Sequence, residues 1–109
     1  MEETLMPTLS SIQSLVFDPR CVSHHGGDAV QAGLDLSEGM SHAALVNVPS
    51  TQTALDLVEP GDAENSYLVH KLEGRAGIVR DRMPPIGDPL TAEEIEAIRD
   101  WINAGALSE

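Results

Sequence analysis

Apolar residues recur at helical spacing along this chain, and no stretch of it reads as a convincing strand. Leu9, Ile12 and Val16 mark one stripe. Ile95, Ile98 and Ile102 mark another, with Trp101 beside it. The pattern predicts an all-α fold in which long loops connect a few helices.

Taken in order, residues 1–7 read as a loose acidic start and residues 8–107 as the domain. Pro7 can open a helix, which the stripe carries over roughly residues 8–17. Asp18-Pro19 is expected to stop it, because the residue before a proline is pushed out of the helical region. Gly26-Gly27 allows a sharp turn or a close approach. Residues 28–40 read as loop, with Leu34-Asp35-Leu36 as a short buried anchor. Ser41 is placed to cap a brief helix carrying Ala44 and Leu45, and residues 48–60 read as irregular. Pro60-Gly61-Asp62 turns into a helix with Asp62 as N-cap, bearing Tyr67, Leu68 and Leu72 and closed by Gly74. Residues 75–90 form a loop. The last helix is the most strongly marked: Thr91 and Glu94 make a capping box, Leu90 and Ile95 a hydrophobic staple, and Gly105 ends it.

A chain of 109 residues is one domain, yet Phe17, Tyr67 and Trp101 are its only aromatics. So thin a core leaves room for a ligand to complete it. Six basic residues against 18 acidic ones give a net charge of −12. That disfavours nucleic acid and anionic membrane surfaces, which need basic patches, and it favours a partner with a basic docking surface. A single cysteine excludes an internal disulfide. No apolar run approaches a membrane span, and Met-Glu-Glu-Thr-Leu lacks the basic and apolar regions of a signal peptide.

Chemistry concentrates in Cys21-Val22-Ser23-His24-His25-Gly26-Gly27, which holds the only cysteine and two of the four histidines. A haem attachment site of the c type reads Cys-x-x-Cys-His. Here Cys21 and His25 keep the first thiol and the histidine, while His24 stands where the second thiol belongs. Met83 lies between Arg82 and Pro84-Pro85, off any apolar helix face, and the two prolines stiffen its backbone. A thioether opposite an imidazole is the His/Met haem ligation of electron-transfer proteins. The same residues allow a different chemistry: Cys21, His24, His25 and Met83 are also a blue-copper ligand set, so copper or zinc binding is an alternative. Arg75, Arg80 and Arg82 are candidates for pairing carboxylates of a haem, although a solvated loop accounts for most of them. His42 and His70 read as surface histidines. No hydrolytic triad, carboxylate dyad or phosphate loop is present, so the chain does not read as an enzyme.

Taken together, several segments resemble a small bacterial cytochrome c domain. They are the attachment motif, Gly33-Leu34-Asp35-Leu36, Pro60-Gly61-Asp62 leading to Ser66-Tyr67-Leu68, Arg82-Met83-Pro84-Pro85, Leu90-Thr91, and Ile98-Arg99-Asp100-Trp101-Ile102 with Ala104-Gly105-Ala106. The resemblance implies N- and C-terminal helices packed together, with one haem lying in the loops between. It implies His25 as proximal ligand, Met83 as distal ligand and a thioether through Cys21. It also implies electron transfer with a redox partner protein, in a periplasmic setting. His24 departs from the family pattern, limits attachment to one thioether, and brings a second imidazole beside the proximal one. A cytochrome-like domain without cofactor, acting as an interaction module, is the remaining alternative.

Overall fold

Helices supply nearly all the regular structure in the computed structural model. It describes residues 5–21, 34–78, 82–83 and 88–108, together with the backbone of 25–26 and 29–30. The fold is helical with little strand, as the apolar spacing predicts.

The N-terminal helix starts at Thr8, whose hydroxyl accepts from Ser11 N–H. It runs through Leu9–Ile12, Gln13–Phe17 and Asp18–Arg20. The expected stop at Asp18-Pro19 is therefore corrected, since the helix passes through the proline. A helical proline lacks its N–H and clashes with the carbonyl four residues back. Gln13–Phe17 is wound as a π-helix, and Asp18 N–H reaches back five residues to the Gln13 carbonyl. This wider turn makes room just ahead of Pro19. Cys21 N–H then bonds the Phe17 carbonyl at 2.9 Å, which sets Cys21 at the helix end.

Leu9, Ile12, Val16 and Phe17 are buried in one core with Ile98, Trp101 and Ile102 of the C-terminal helix, Ala92–Asn103. The two helices touch directly. The C-terminal helix carries the expected capping box. Thr91 Oγ1 accepts from Glu94 N–H at 3.1 Å, and Glu94 Oε1 accepts from Thr91 N–H at 2.8 Å. Leu90 and Ile95 both join the core. Gly105, at φ +112°, turns the chain out of the helix, and Trp101 Nε1–H donates to the Leu107 carbonyl at 2.8 Å.

Between these helices Leu36, Leu45, Val58, Leu68, Val69 and Leu72 join the same core, and polar contacts fix the segments that carry them. Ser41 begins the short helix Ser41–Leu45 but does not cap it. Its hydroxyl donates instead to Gln13 Oε1 at 2.6 Å, while Gln13 Nε2 donates to the Leu36 carbonyl and to Asp18, both at 2.8 Å. Leu36 is buried, whereas Leu34 and Asp35 are half-buried, so the anchor is deepest at its last residue. The segment expected to be irregular, 48–60, is pinned by Leu57 N–H to the Val48 carbonyl at 2.8 Å and Ser50 N–H to the Leu55 carbonyl at 2.9 Å. Asp62 does accept from Asn65 N–H, but it caps a 3-10 turn, Ala63–Asn65. The helix Tyr67–Glu73 follows, and Gly74 closes it in the left-handed region at φ +67°. Its first donors, Tyr67 N–H and Leu68 N–H, bond the Asp56 and Leu57 carbonyls, each at 3.0 Å, which satisfies groups a helix start leaves open. Some strand pairing departs from an all-helical expectation: His25–Gly26 pairs antiparallel with Ala29–Val30, and isolated bridges join Val46 to Val58 and Pro49 to Asp56.

Candidate functional site

Cys21 and Met83, 62 positions apart in the sequence, line the same cleft. Cys21 arrives there on the end of the N-terminal helix. Met83 arrives on its loop, where its N–H donates to the Lys71 carbonyl at 3.0 Å. Both side chains pack against the core without being fully buried. Leu34, Leu36 and Leu45 form one part of the wall, and Leu57, Leu68 and Leu72 another. Ser50, Thr51, Gln52 and Tyr67 add polar groups, and the Tyr67 hydroxyl donates to Gln52 Oε1 at 2.9 Å. Ala44, Val48, Pro49 and Lys71 also line the cleft.

The cavity holds about 220 Å³, somewhat below the roughly 300–1,000 Å³ that ligand sites span.

Burial pushes the Cys21 thiol up from 9.0 to about 11. Arg20 works against this and Glu94 adds slightly to it. At neutral pH the group is therefore a neutral thiol in apolar surroundings. Metal ligation by Cys21 would release this proton, since the thiolate is the ligand, whereas a thioether is uncharged.

The other expected site residues fare differently. His24, Arg80, Pro84 and Pro85 lie outside the described residues, and of His25 only the backbone is described. Among the described residues, no group of three or more His, Cys, Asp and Glu gathers to hold a metal ion. Both imidazoles of the copper or zinc alternative belong to residues whose side chains lie outside that set. Arg75 does not reach the cleft. It pairs with Glu64 and Glu73, which Arg99 also binds, at 2.9 and 3.3 Å. Arg82 donates to the Glu73 carbonyl at 2.8 Å. His70 turns from the cleft and meets the Glu64 carbonyl at 2.7 Å. His42 is half-buried rather than a free surface residue, with Nε2 at 2.9 Å from the Ala106 carbonyl.

Two lining features escaped the sequence reading. Lys71 follows Tyr67 by four residues and Leu68 by three, so it shares their helix face; that spacing was the available signal. The Gln52–Tyr67 contact had none, because it spans a loop. No helix among the described residues is long and apolar enough to cross a membrane. No protein-family model, curated protein or solved structure matches the chain.

Proposed function

We propose that the chain is a single-haem electron-transfer domain with a cytochrome c-like arrangement, a carrier and not a catalyst. The observation that carries this reading is the meeting of Cys21 and Met83 on one apolar cleft lined by residues of the 34–57 segment and of the Tyr67–Glu73 helix. The donor set suits the group: a soft thioether, a thiol that a neutral linkage would satisfy, and an imidazole at His25.

In this reading Met83, whose backbone is held by its bond to Lys71, and His25 would be the residues that hold the iron. Cys21 makes the one thioether link that a single thiol allows. The haem, when bound, supplies the one-electron ferric/ferrous couple. The net charge of −12 steers a redox partner with a basic surface, and the periplasm follows from the family resemblance.

The deciding experiment is expression alongside haem-maturation proteins, followed by a visible spectrum and mass spectrometry. Protein plus one haem, surviving acid extraction, is the expected mass. Reduced protein in alkaline pyridine should absorb between the positions of two-thioether and non-covalent haem, because one vinyl group stays conjugated with the ring. His24→Cys should move that band to the two-thioether position and raise loading. Haem fully stripped by acid would remove Cys21 as an attachment point. Copper or zinc in place of haem, unaltered in kind by His24→Cys, would instead establish the metal-site alternative.

A further inference from the structure

The sequence offers Arg82 as a partner for carboxylates of a haem, but the protein's own backbone engages its guanidinium. The helix Tyr67–Glu73 ends at Gly74, and the last carbonyls of a helix have no partner inside it. Gly74 N–H and Arg75 N–H both turn back to the His70 carbonyl. The carbonyls of Lys71 and Glu73 are met from the loop that carries Met83. Met83 N–H donates to the first at 3.0 Å, and Arg82 Nη2–H donates to the second at 2.8 Å. A basic side chain suits that end of a helix. The guanidinium also lies against Gly74, where a Cβ would come within 2.6 Å of Arg82 Nε. Gly74 is thus needed twice, for its left-handed φ of +67° and for the space that Arg82 occupies. The helix end is itself anchored, since the Glu73 carboxylate pairs with Arg75 and with Arg99 of the C-terminal helix.

We propose that Arg82 is the positioning residue of the Met83 thioether: by closing the helix end over Gly74, it fixes the loop that holds the sulfur at the cleft. The Met83 N–H bond alone gives the loop one fixed point, about which the chain can pivot. The Arg82 bond adds a second on the preceding residue, and two fixed points orient the side chain between them. Arg82 is exposed, so its bond replaces one to water and contributes little to the stability of the whole fold. Its effect is local. The use of Met83 as a ligand rests on the haem reading; the tether does not.

The first test needs no haem. Dilute hydrogen peroxide oxidises accessible methionines to the sulfoxide, and peptide mass spectrometry follows Met83 against Met40, which is 51% exposed. Half-buried Met83 should react more slowly than Met40 in wild type. Arg82→Ala should speed Met83 oxidation about fivefold, the population factor that loss of one ordinary hydrogen bond carries, and leave Met40 unchanged. Gly74→Asn tolerates the left-handed backbone but puts a Cβ where the guanidinium lies, so it should do the same with Arg82 still present. Arg82→Lys, which keeps a charged donor, should retain most of the protection. The urea midpoint, read from buried Trp101, should stay near wild type in all three. Unchanged Met83 oxidation in Arg82→Ala overturns the inference. So does faster oxidation matched by a fall in the urea midpoint, because Arg82 would then support the whole fold. In haem-loaded protein, Arg82→Ala should weaken the near-infrared charge-transfer band and lower the midpoint potential while haem stays attached. A loaded variant with wild-type band and potential removes Arg82 from positioning and leaves the haem reading standing. If no haem binds but Met83 oxidation responds to Arg82, the positioning role stands and the haem reading falls.

Discussion

The backbone N–H of Met83 donates to the carbonyl oxygen of Lys71 at 3.0 Å, tying the loop that carries the thioether to the helix that forms one wall of the cleft. The position of the sulfur thus depends on a main-chain contact that a side-chain substitution leaves in place. Met83→Ala removes the thioether alone. In the haem-loaded protein it should leave haem bound while lowering the midpoint potential, on the order of 0.1 V within the ≈ 0.8 V that axial ligands command. A redox titration measures this, with loss of the near-infrared charge-transfer band as the spectroscopic partner. A potential and band identical to wild type would remove Met83 from the iron.

Gln13 joins three segments: its amide donates to Asp18 and to the Leu36 carbonyl, and it accepts from the Ser41 hydroxyl. Both Gln13 and Ser41 are buried. Gln13→Leu fills similar space but strands the Ser41 hydroxyl and the Leu36 carbonyl in the interior, each a costly orphan. Urea denaturation should show a loss of about 1–3 kcal/mol. Ser41→Ala, which leaves Gln13 its other two partners, should cost less. Equal and negligible effects would mean that water replaces these contacts.

What could be read from sequence follows the range of the forces involved. The C-terminal helix was legible because Thr91, Glu94, Leu90 and Ile95 signal within a few residues of one another. The N-terminal helix was legible in position but not in length, since tolerance of Pro19 depends on how Gln13–Phe17 is wound. Ser41 has the composition of a cap, yet a partner 28 positions away claims its hydroxyl. The 48–60 segment is ordered by main-chain bonds that no side-chain pattern announces. For the site, Cys21 and Met83 stand out by residue type and by family resemblance, whereas Lys71 belongs to no motif and shares its helix face with Tyr67 and Leu68 only through its spacing.

Glu64 is an exposed carboxylate whose pKa is held down to about 2, first by its hydrogen bond to Arg75 and then by that to Arg99. Its ordinary value is 4.5. A carboxyl depressed by folding lends stability that is fully present above the unfolded value and is lost as pH falls through the folded one. The window is therefore pH 4.5 down to about 2. Glu64→Gln should flatten the stability–pH curve there, with its full offset from wild type at pH 7 to 8 and convergence on wild type as pH falls through about 2. Because the pair is solvent-exposed, raising the salt concentration should shrink the difference between variant and wild type. A curve of unchanged slope in the variant would show that the arginines do not hold Glu64 in solution.

The Cys21 thiol supplies a test of the dryness of the cleft that needs no cofactor. Burial raises it from 9.0 to about 11, so folding disfavours the thiolate. Stability from this group is fully present below pH 9 and is lost as pH rises towards about 11. The reactive species in alkylation is the thiolate. A difference of about two in pKa leaves about a hundredfold less thiolate at pH 8 than an ordinary cysteine has. Haem-free protein should thus react with iodoacetamide at least about a hundredfold more slowly when folded than when unfolded in urea, with a rate that climbs until about pH 11. A profile that bends near pH 9 in the folded protein would mean that water reaches the sulfur and that the wall holding Cys21 and Met83 is not apolar in solution. Protein loaded with haem through Cys21 should not be alkylated there at any pH. Alkylation of the loaded protein at Cys21 would show that the thioether had not formed.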